Sequence, residues 1–243
     1  MKVNHETHLY HCTSVPNLCK ILKSSSFYTS FCLEKASYLE QEQEFAFAMV
    51  CFADLLDEEL EAHLSTFNSD CYLRMSKQWA RRFGLSSVIY YDKKTVLPIA
   101  FKHLVNSAVE KLQTNGGQMD HELQMVSLMM SFFKQYEGFY WDKQKKTWSE
   151  RLTMFYTERE WRYLPLVQNK EDYYLCADDF KNDEIRKKKQ QELIEHGYTL
   201  KFTWDDIEQI GVKGVRNFCS LVSFLKKQLH KSPSEIMRKL KWL

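Results

Sequence analysis

The chain alternates irregularly between short β-type segments and amphipathic helical segments, and this pattern constrains its fold most strongly. Runs rich in β-branched and aromatic residues predict short strands at residues 9–13, 49–52, 71–75, 88–91 and 200–204. Apolar residues that recur at helical spacing predict helices between several of these strands. Because the alternation is irregular, we predict an α+β fold that forms a single domain over residues 1–243.

Two apolar stripes in the middle of the sequence predict a helical insert at about residues 100–137. Asn115-Gly-Gly, between the two stripes, is a helix stop signal. The predicted buried face of this insert consists of Phe101, Leu104, Leu112, Val126 and Met130. A further stripe from Val215 to Leu229, followed by the capping box Ser232-Pro-Ser-Glu, predicts C-terminal helices at about residues 214–243.

Composition and charge narrow the range of partners. Hydrophobic residues make up 44% of the chain, and the net charge is only +2. A near-neutral chain lacks the basic field of a typical nucleic-acid-binding protein. The basic run Arg186–Lys189 is interpreted as a solvated helix face, with an acidic partner or RNA as the alternative. The polar start and the short apolar run at 45–52 predict a cytoplasmic protein with no membrane contact.

The seven cysteines do not form a metal-binding or disulfide pattern. No CxxC pair occurs, and their number is odd. We therefore predict reduced thiols and no bound metal. A zinc site built from Cys12 with His5, His8 or His11 is the alternative, but β-type residues around it would turn those side chains to different faces.

The segment Phe155–Tyr163 carries two acids and two arginines in what is predicted to be a β-strand. Successive side chains of a strand alternate between faces, so Glu158, Glu160 and Arg162 would share one face. Two carboxylates on one face repel each other, which favours the edge of a polar active-site cleft. A solvated strand face with a cross-strand ion pair is the alternative interpretation.

Several motifs, in order, resemble the AbiGi-type abortive-infection family of bacterial phage-defence proteins. The matching pieces are Leu9–Ser14 with Ile21-Leu-Lys, Ala48–Asp54, Leu73–Ala80 with Val88–Tyr91, and Phe155–Tyr163. The resemblance implies a role in anti-phage defence within a two-gene system. It also implies an antitoxin-like chain whose partner is a cognate toxin or a phage product. A phage-sensing protein that changes shape on binding is a further alternative.

A more distant resemblance links the chain to ADP-ribosyltransferases, through His11 with Thr13 in an early strand and Glu158-x-Glu160 in a late one. It implies a mixed, mostly antiparallel sheet and NAD as the cofactor. His11, Thr13, Arg74 and Tyr90 would then contact NAD. Glu160 would stabilise the oxocarbenium-like transition state, and Glu158 would orient the acceptor. This chemistry requires His11 and Glu160 to face one cleft, and it predicts that Glu160→Gln abolishes activity without disturbing the fold.

Overall fold

The computed structural model of the chain describes residues 7–39, 42–114, 121–142, 145–165 and 174–243. The strands in these ranges are β1 (His8–Thr13), β2 (Ser26–Tyr28), β3 (Ser30–Ala36), β4 (Gln43–Leu55), β5 (Cys71–Met75), β6 (Ser86–Ser87), β7 (Ile89–Tyr91), β8 (Phe133–Gln135), β9 (Trp141–Asp142), β10 (Thr147–Trp148), β11 (Trp161–Tyr163), β12 (Tyr174–Cys176), β13 (Thr199–Lys201), β14 (Ile207–Val212) and β15 (Leu240–Trp242). The helices are α1 (Val15–Ser24), α2 (Leu60–Thr66), α3 (Lys77–Arg82), α4 (Val96–Thr114), α5 (His121–Met130), α6 (Ala177–Lys181), α7 (Asp183–Glu195), α8 (Val215–Gln228) and α9 (Pro233–Lys239).

A nine-stranded sheet organises the fold. Its strand order is β15-β14-β5-β1-β4-β11-β6, and β3 and β12 also pair with β4. Within this sheet the parallel pair is β14 with β15, and the other ladders are antiparallel. The predicted α+β class with a mixed, mostly antiparallel sheet is therefore confirmed.

The long strand β4 connects the two halves of the sheet. Its first half pairs with β3 and β12, and its second half pairs with β1 and β11. The ladder between β1 and β4 ends at Tyr10 opposite Ala53, whereas β1 stays paired with β5 as far as Thr13. The backbone ladder between β1 and β4 therefore ends before the end of β1.

The largest hydrophobic cluster packs helices α1 and α8 against the sheet. Its fully buried members include Leu9, Leu18, Phe52, Leu73, Trp79, Ile210, Leu221 and Leu225. Leu18 and Ile21 of α1 recur at helical spacing, as do Leu221 and Leu225 of α8, so each helix turns one apolar face inward. This packing holds the early strand β1 rigidly against β5.

The predicted strand over Phe155–Tyr163 is wrong for its first half. Phe155–Glu158 forms a 3₁₀ helix, and Arg159 then adopts a left-handed conformation with φ 44°. The strand β11 begins only at Trp161. The 3₁₀ turn is stabilised locally because the Thr157 hydroxyl donates to the Met154 carbonyl at 2.8 Å.

Helices α4 and α5 occupy most of the predicted helical insert, but α4 already begins at Val96. Helix α5 ends at Met130, and Phe133 begins strand β8, which pairs with β7 in parallel. Among the described side chains of α4, the buried ones are Pro98, Phe101, Val105 and Ala108. Helix α5 contributes Val126, whereas Met130 is only partly buried.

The prediction that Leu104 is buried is wrong, because 39% of its surface is exposed. Phe101, Val105 and Ala108 define the inward stripe, and Leu104 lies on its flank. The side chain of Leu112 and the stop signal at residues 115–117 lie outside the described residues. At the C-terminus α8 and α9 form as predicted, but Leu240–Trp242 is a strand rather than a helix.

Candidate functional site

A cavity of about 730 Å³ opens beside the end of the ladder between β1 and β4. Strands β1, β3, β4 and β8, helix α2 and the 3₁₀ turn before β11 contribute to its wall. Aromatic rings dominate one part of the wall: Tyr28, Phe67, Phe139, Tyr140, Trp141, Trp148 and Phe155. Charged groups at one end include Glu34, Lys134, Glu158 and Glu160. A mostly apolar cavity with a few converging polar groups is the usual form of a ligand site.

A buried guanidinium anchors the charged end of the cavity. Arg162 of β11 is 0% exposed. Its Nε donates to Oε1 of Glu160 at 2.8 Å, and its Nη1 donates to Oε2 of Glu34 at 2.9 Å. Nη1 also donates to the carbonyl oxygen of Ser131. The guanidinium is thus surrounded by acceptors, as a buried cation requires.

The Glu160 carboxylate lies between two cations. Arg162 binds it from β11, and the Lys134 ammonium binds its Oε2 from β8. Burial raises the pKa of Glu160, but the positive charges of Arg162 and Lys134 outweigh burial and hold the pKa well below its usual value. Glu160 is therefore ionised at neutral pH, and its charge is already compensated by the protein.

Glu158 has a different environment although it lies only two residues away. Its side chain is buried, and the Lys134 Nζ is 3.6 Å from its Oε2. Its Oε1 is buried and has no hydrogen-bond partner within the protein. Burial, together with the charge of Glu160, raises the pKa of Glu158 to about 7 despite the nearby Lys134. Glu158 can therefore accept or release a proton near neutral pH.

Two further groups of the wall have strongly shifted pKa values. Burial and the nearby Lys134 lower the pKa of His63, on α2, to about 4, so its imidazole is neutral at pH 7. Burial and the nearby Glu158 raise the pKa of the Cys12 thiol to about 12. Cys12 is therefore not a nucleophilic thiolate at neutral pH.

His11 contributes to the same cavity as Glu158 and Glu160. Tyr10 pairs with Ala53, so strand alternation puts the His11 ring on the face of Phe52. The imidazole packs edge-on against Phe27 with a centroid distance of 5.0 Å, and it contacts Phe52 at 5.4 Å. Its Nδ1 is 3.0 Å from the Cys51 carbonyl oxygen. Phe52 pairs with Trp161 and Cys51 pairs with Arg162, so strand alternation puts Glu160 and Arg162 on the face opposite Phe52.

The other predicted NAD contacts lie outside the cavity wall. Thr13 ends β1 opposite Cys71. Arg74 forms ion pairs with Glu208 at 3.3 Å and Asp57 at 3.5 Å. The Tyr90 hydroxyl accepts a hydrogen bond from the Glu160 backbone N–H at 2.9 Å. The structure thus places Glu158, Glu160 and His11 around one cavity. Thr13, Arg74 and Tyr90 do not line it, although the Tyr90 hydroxyl contacts the Glu160 backbone.

The proposed zinc ligands likewise diverge. His8 approaches Glu208 at 3.4 Å, the His11 ring faces the core, and Cys12 lines the cavity. His5 lies outside the described residues. In the part of the chain that the structure describes, no three His, Cys, Asp or Glu side chains come together as a metal site. The structure describes all seven cysteines, and none of them forms a disulfide.

Sequence reasoning missed Lys134 and Glu34, which are central to the charged end. Lys134 lies within the predicted helical insert but belongs to strand β8. Glu34 lies in strand β3, for which the sequence pattern predicts no strand. Short strands between polar residues give little periodic signal. In β8, burial alternates along the strand: Phe133 and Gln135 are buried, and Lys134 between them is half-buried. This alternation is the one pattern that could have indicated a strand.

Comparison with known proteins gives one consistent result. Residues 25–213 match a family model whose description reads abortive phage resistance protein AbiGi, antitoxin. The chain is also 24% identical over 203 residues to the abortive phage resistance protein AbiGi of Lactococcus lactis subsp. cremoris, covering 76% of this chain and 79% of that protein. No solved structure matches the chain significantly. Among the described residues, no helix is both long and apolar enough to cross a membrane.

Proposed function

Because the chain belongs to the AbiGi family of abortive phage resistance proteins, we propose that it acts in anti-phage defence as the antitoxin-like partner of a cognate toxin. It would restrain the toxin by direct binding rather than by a reaction of its own. The family description as an antitoxin supports this proposal. One structural observation carries it, namely an exposed apolar face on the helical insert.

The exposed face belongs mainly to α4. Leu97, Ala100 and Leu104 recur at i, i+3 and i+7, so they form one stripe, which we call the insert face. Among the described side chains of α4 and α5, the large apolar ones that are exposed are Val96, Leu97, Ile99, Leu104, Val109, Met125 and Met129. Clustered exposed apolar side chains mark interaction surfaces more often than single ones do. A toxin with an apolar groove that accepts a helix would cover this face.

Substituting Leu104→Glu tests the role of the insert face. We expect it to weaken toxin binding at least tenfold, or about 1.4 kcal/mol, because a carboxylate would be desolvated in an apolar contact. Leu104 is already exposed, so the fold should be retained. The measurement is calorimetric titration of the purified chain with the neighbouring gene product, together with toxicity in cells that express both.

The matched control is Met237→Glu on α9, where Met237 is 82% exposed and distant in sequence from the insert. This variant should bind the toxin as the wild type does. Equal affinity of the Leu104→Glu and wild-type proteins would exclude the insert face as the interface. Failure of the wild-type chain to bind or neutralise the neighbouring gene product would overturn the antitoxin-like role itself.

The second candidate is the NAD-dependent transfer that the ADP-ribosyltransferase resemblance implies. The presence of His11, Glu158 and Glu160 around one cavity favours it. Two features oppose it: the His11 ring packs on the core face, and the Glu160 charge is compensated by Lys134 and Arg162. A carboxylate that is already neutralised has little charge left to stabilise a developing oxocarbenium ion.

We therefore expect purified wild-type protein to release nicotinamide from NAD no faster than buffer does, alone or with the neighbouring gene product. Chromatographic quantification of nicotinamide gives the answer. The wild type is the right sample, because Glu160→Gln would leave two buried cations short of an anion and disturb the fold. Release clearly above the buffer rate would restore the transferase as the leading function.

A further inference from the structure

The unpartnered oxygen of Glu158 is the clearest sign of a ligand at the charged end of the cavity. Glu158 is 9% exposed, and its Oε1 has no hydrogen-bond partner within the protein. A buried acceptor without a donor costs free energy, so folded proteins rarely leave one without a function. The carboxyl lies in the cavity wall, where a ligand could supply the missing donor.

The charges around Glu158 indicate which hydrogen-bonding groups the ligand carries. The Lys134 Nζ lies 3.6 Å from the other oxygen of Glu158, so an acceptor and a donor stand side by side. Three carboxylates at this end, those of Glu34, Glu158 and Glu160, face two cations, Lys134 and Arg162. The end thus carries at most one net negative charge, which favours a neutral group with N–H donors over an anion.

The cavity walls indicate a flat ring. The Lys134 Nζ lies 4.6 Å from the centroid of the Phe155 ring. Phe67 contacts Tyr140 with a centroid distance of 5.5 Å, and the neutral His63 ring lies 4.8 Å from Phe67. Rings of this kind provide stacking surfaces for nucleobases. A volume of about 730 Å³ is within the range of small-molecule sites.

We propose that this cavity binds guanine as a nucleoside or nucleotide, with its N1–H and 2-amino donors on the Glu158 carboxylate and its carbonyl oxygen on Lys134. Adenine offers one amino donor beside a ring acceptor, and it lacks the carbonyl. Hypoxanthine keeps the ring N–H and the carbonyl but lacks the 2-amino group. This site is separate from the insert face, so the inference does not depend on toxin binding.

The proposal has a consequence for pH dependence. The ionised Glu158 carboxylate accepts the two donors, and its pKa is raised to about 7. The charged and titratable groups around it include Lys134, Glu160, Arg162, Cys12, Tyr90 and His63, and their pKa shifts leave them in one protonation state between pH 6 and 8. Protonation of Glu158 at lower pH removes an acceptor, so guanosine should bind about tenfold more tightly at pH 8 than at pH 6.

Calorimetric titration of the full chain with guanosine, inosine and adenosine tests the proposal. These nucleosides carry no phosphate that would titrate between pH 6 and 8. We expect saturable guanosine binding, weaker inosine binding and no adenosine binding. The Glu158→Gln variant should bind guanosine about ten- to a hundred-fold more weakly, since a good bidentate base contact is worth that factor. The control variant is Glu137→Gln, which makes the same change at an exposed position and should bind as the wild type does.

Three results would overturn the proposal: no guanosine binding at millimolar concentration, equal binding of adenosine, or guanosine affinity that does not rise from pH 6 to pH 8. The pH arm uses the wild-type protein, so it decides the matter even if Glu158→Gln folds poorly. Toxin binding is measured in parallel. A Glu158→Gln variant that loses guanosine but keeps the toxin would separate this site from the antitoxin-like role.

Discussion

Replacing Arg162 by methionine is expected to lower the free energy of unfolding by about 3–5 kcal/mol. Arg162 is 0% exposed, and it binds the carboxylates of Glu160 and Glu34 together with the Ser131 carbonyl. Methionine fills much of the volume, but it leaves the Glu34 carboxylate and the Ser131 carbonyl without the donor that Arg162 supplies, and of its two cations Glu160 keeps only Lys134. Urea unfolding of both proteins, followed by tryptophan fluorescence, measures the change.

The control for this prediction is Arg159→Met, three residues away on the same segment. Arg159 pairs with Glu59, and both side chains are about one third exposed. Such pairs contribute up to about 1 kcal/mol, so this variant should stay close to the wild type. In a double-mutant cycle, Glu160→Gln should cost less in the Arg162→Met background than in the wild type. Equal small effects of Arg162→Met and Arg159→Met would show that the buried network contributes little.

Replacing Gly211 by alanine is expected to lower the free energy of unfolding by about 1–3 kcal/mol, because the sheet has no room for a Cβ at this position. Gly211 of β14 lies directly opposite Tyr72 of β5. An added Cβ would lie 2.0 Å from Cε1 of the Tyr72 ring. The ring cannot easily move, because Tyr10 packs on it edge-on and its hydroxyl donates to Gln209 at 2.5 Å. Thermal and urea unfolding report the loss.

A second background isolates the cause of this effect. With Tyr72→Val already present, the ring is gone, and alanine at position 211 should be neutral or should stabilise the strand by up to about 1 kcal/mol. The two substitutions should therefore couple strongly. If Gly211→Ala costs the same in both backgrounds, the ring is not the reason that this position requires glycine.

The charged end of the cavity illustrates how two similar residues acquire different properties. Glu158 and Glu160 are the same amino acid two positions apart, yet burial raises the pKa of one and the nearby cations lower the pKa of the other. Environments that separate two pKa values in this way are characteristic of functional sites. The Glu160 charge is compensated by Arg162 and Lys134, whereas Oε1 of Glu158 has no hydrogen-bond partner within the protein, and our proposal of a ligand starts from that difference.

Local sequence patterns were sufficient to predict much of the secondary structure. Strand β5 follows from a short run of β-type residues that is almost wholly buried. Helices α1, α4 and α8 follow from apolar periodicity and capping signals that act over a few residues. The ordered motifs also indicated the AbiGi family, and the match over residues 25–213 confirms it. The sequence by itself determined these helices and strands because each depends on residues that are close together in the chain.

Only the tertiary structure decided the arrangement of the site. Three features of the site depend on residues that are far apart in the chain. They are the end of the ladder between β1 and β4, the contact of the His11 ring with Phe27, and the ion pair of Arg162 with Glu34. Arg159 has a left-handed backbone conformation, so the strand cannot include Glu158. Glu158 instead lies in the preceding 3₁₀ turn, from which its carboxylate contacts Lys134. Side-chain direction and pKa depend on burial and on charges from distant strands, and no local pattern in the sequence encodes those contacts.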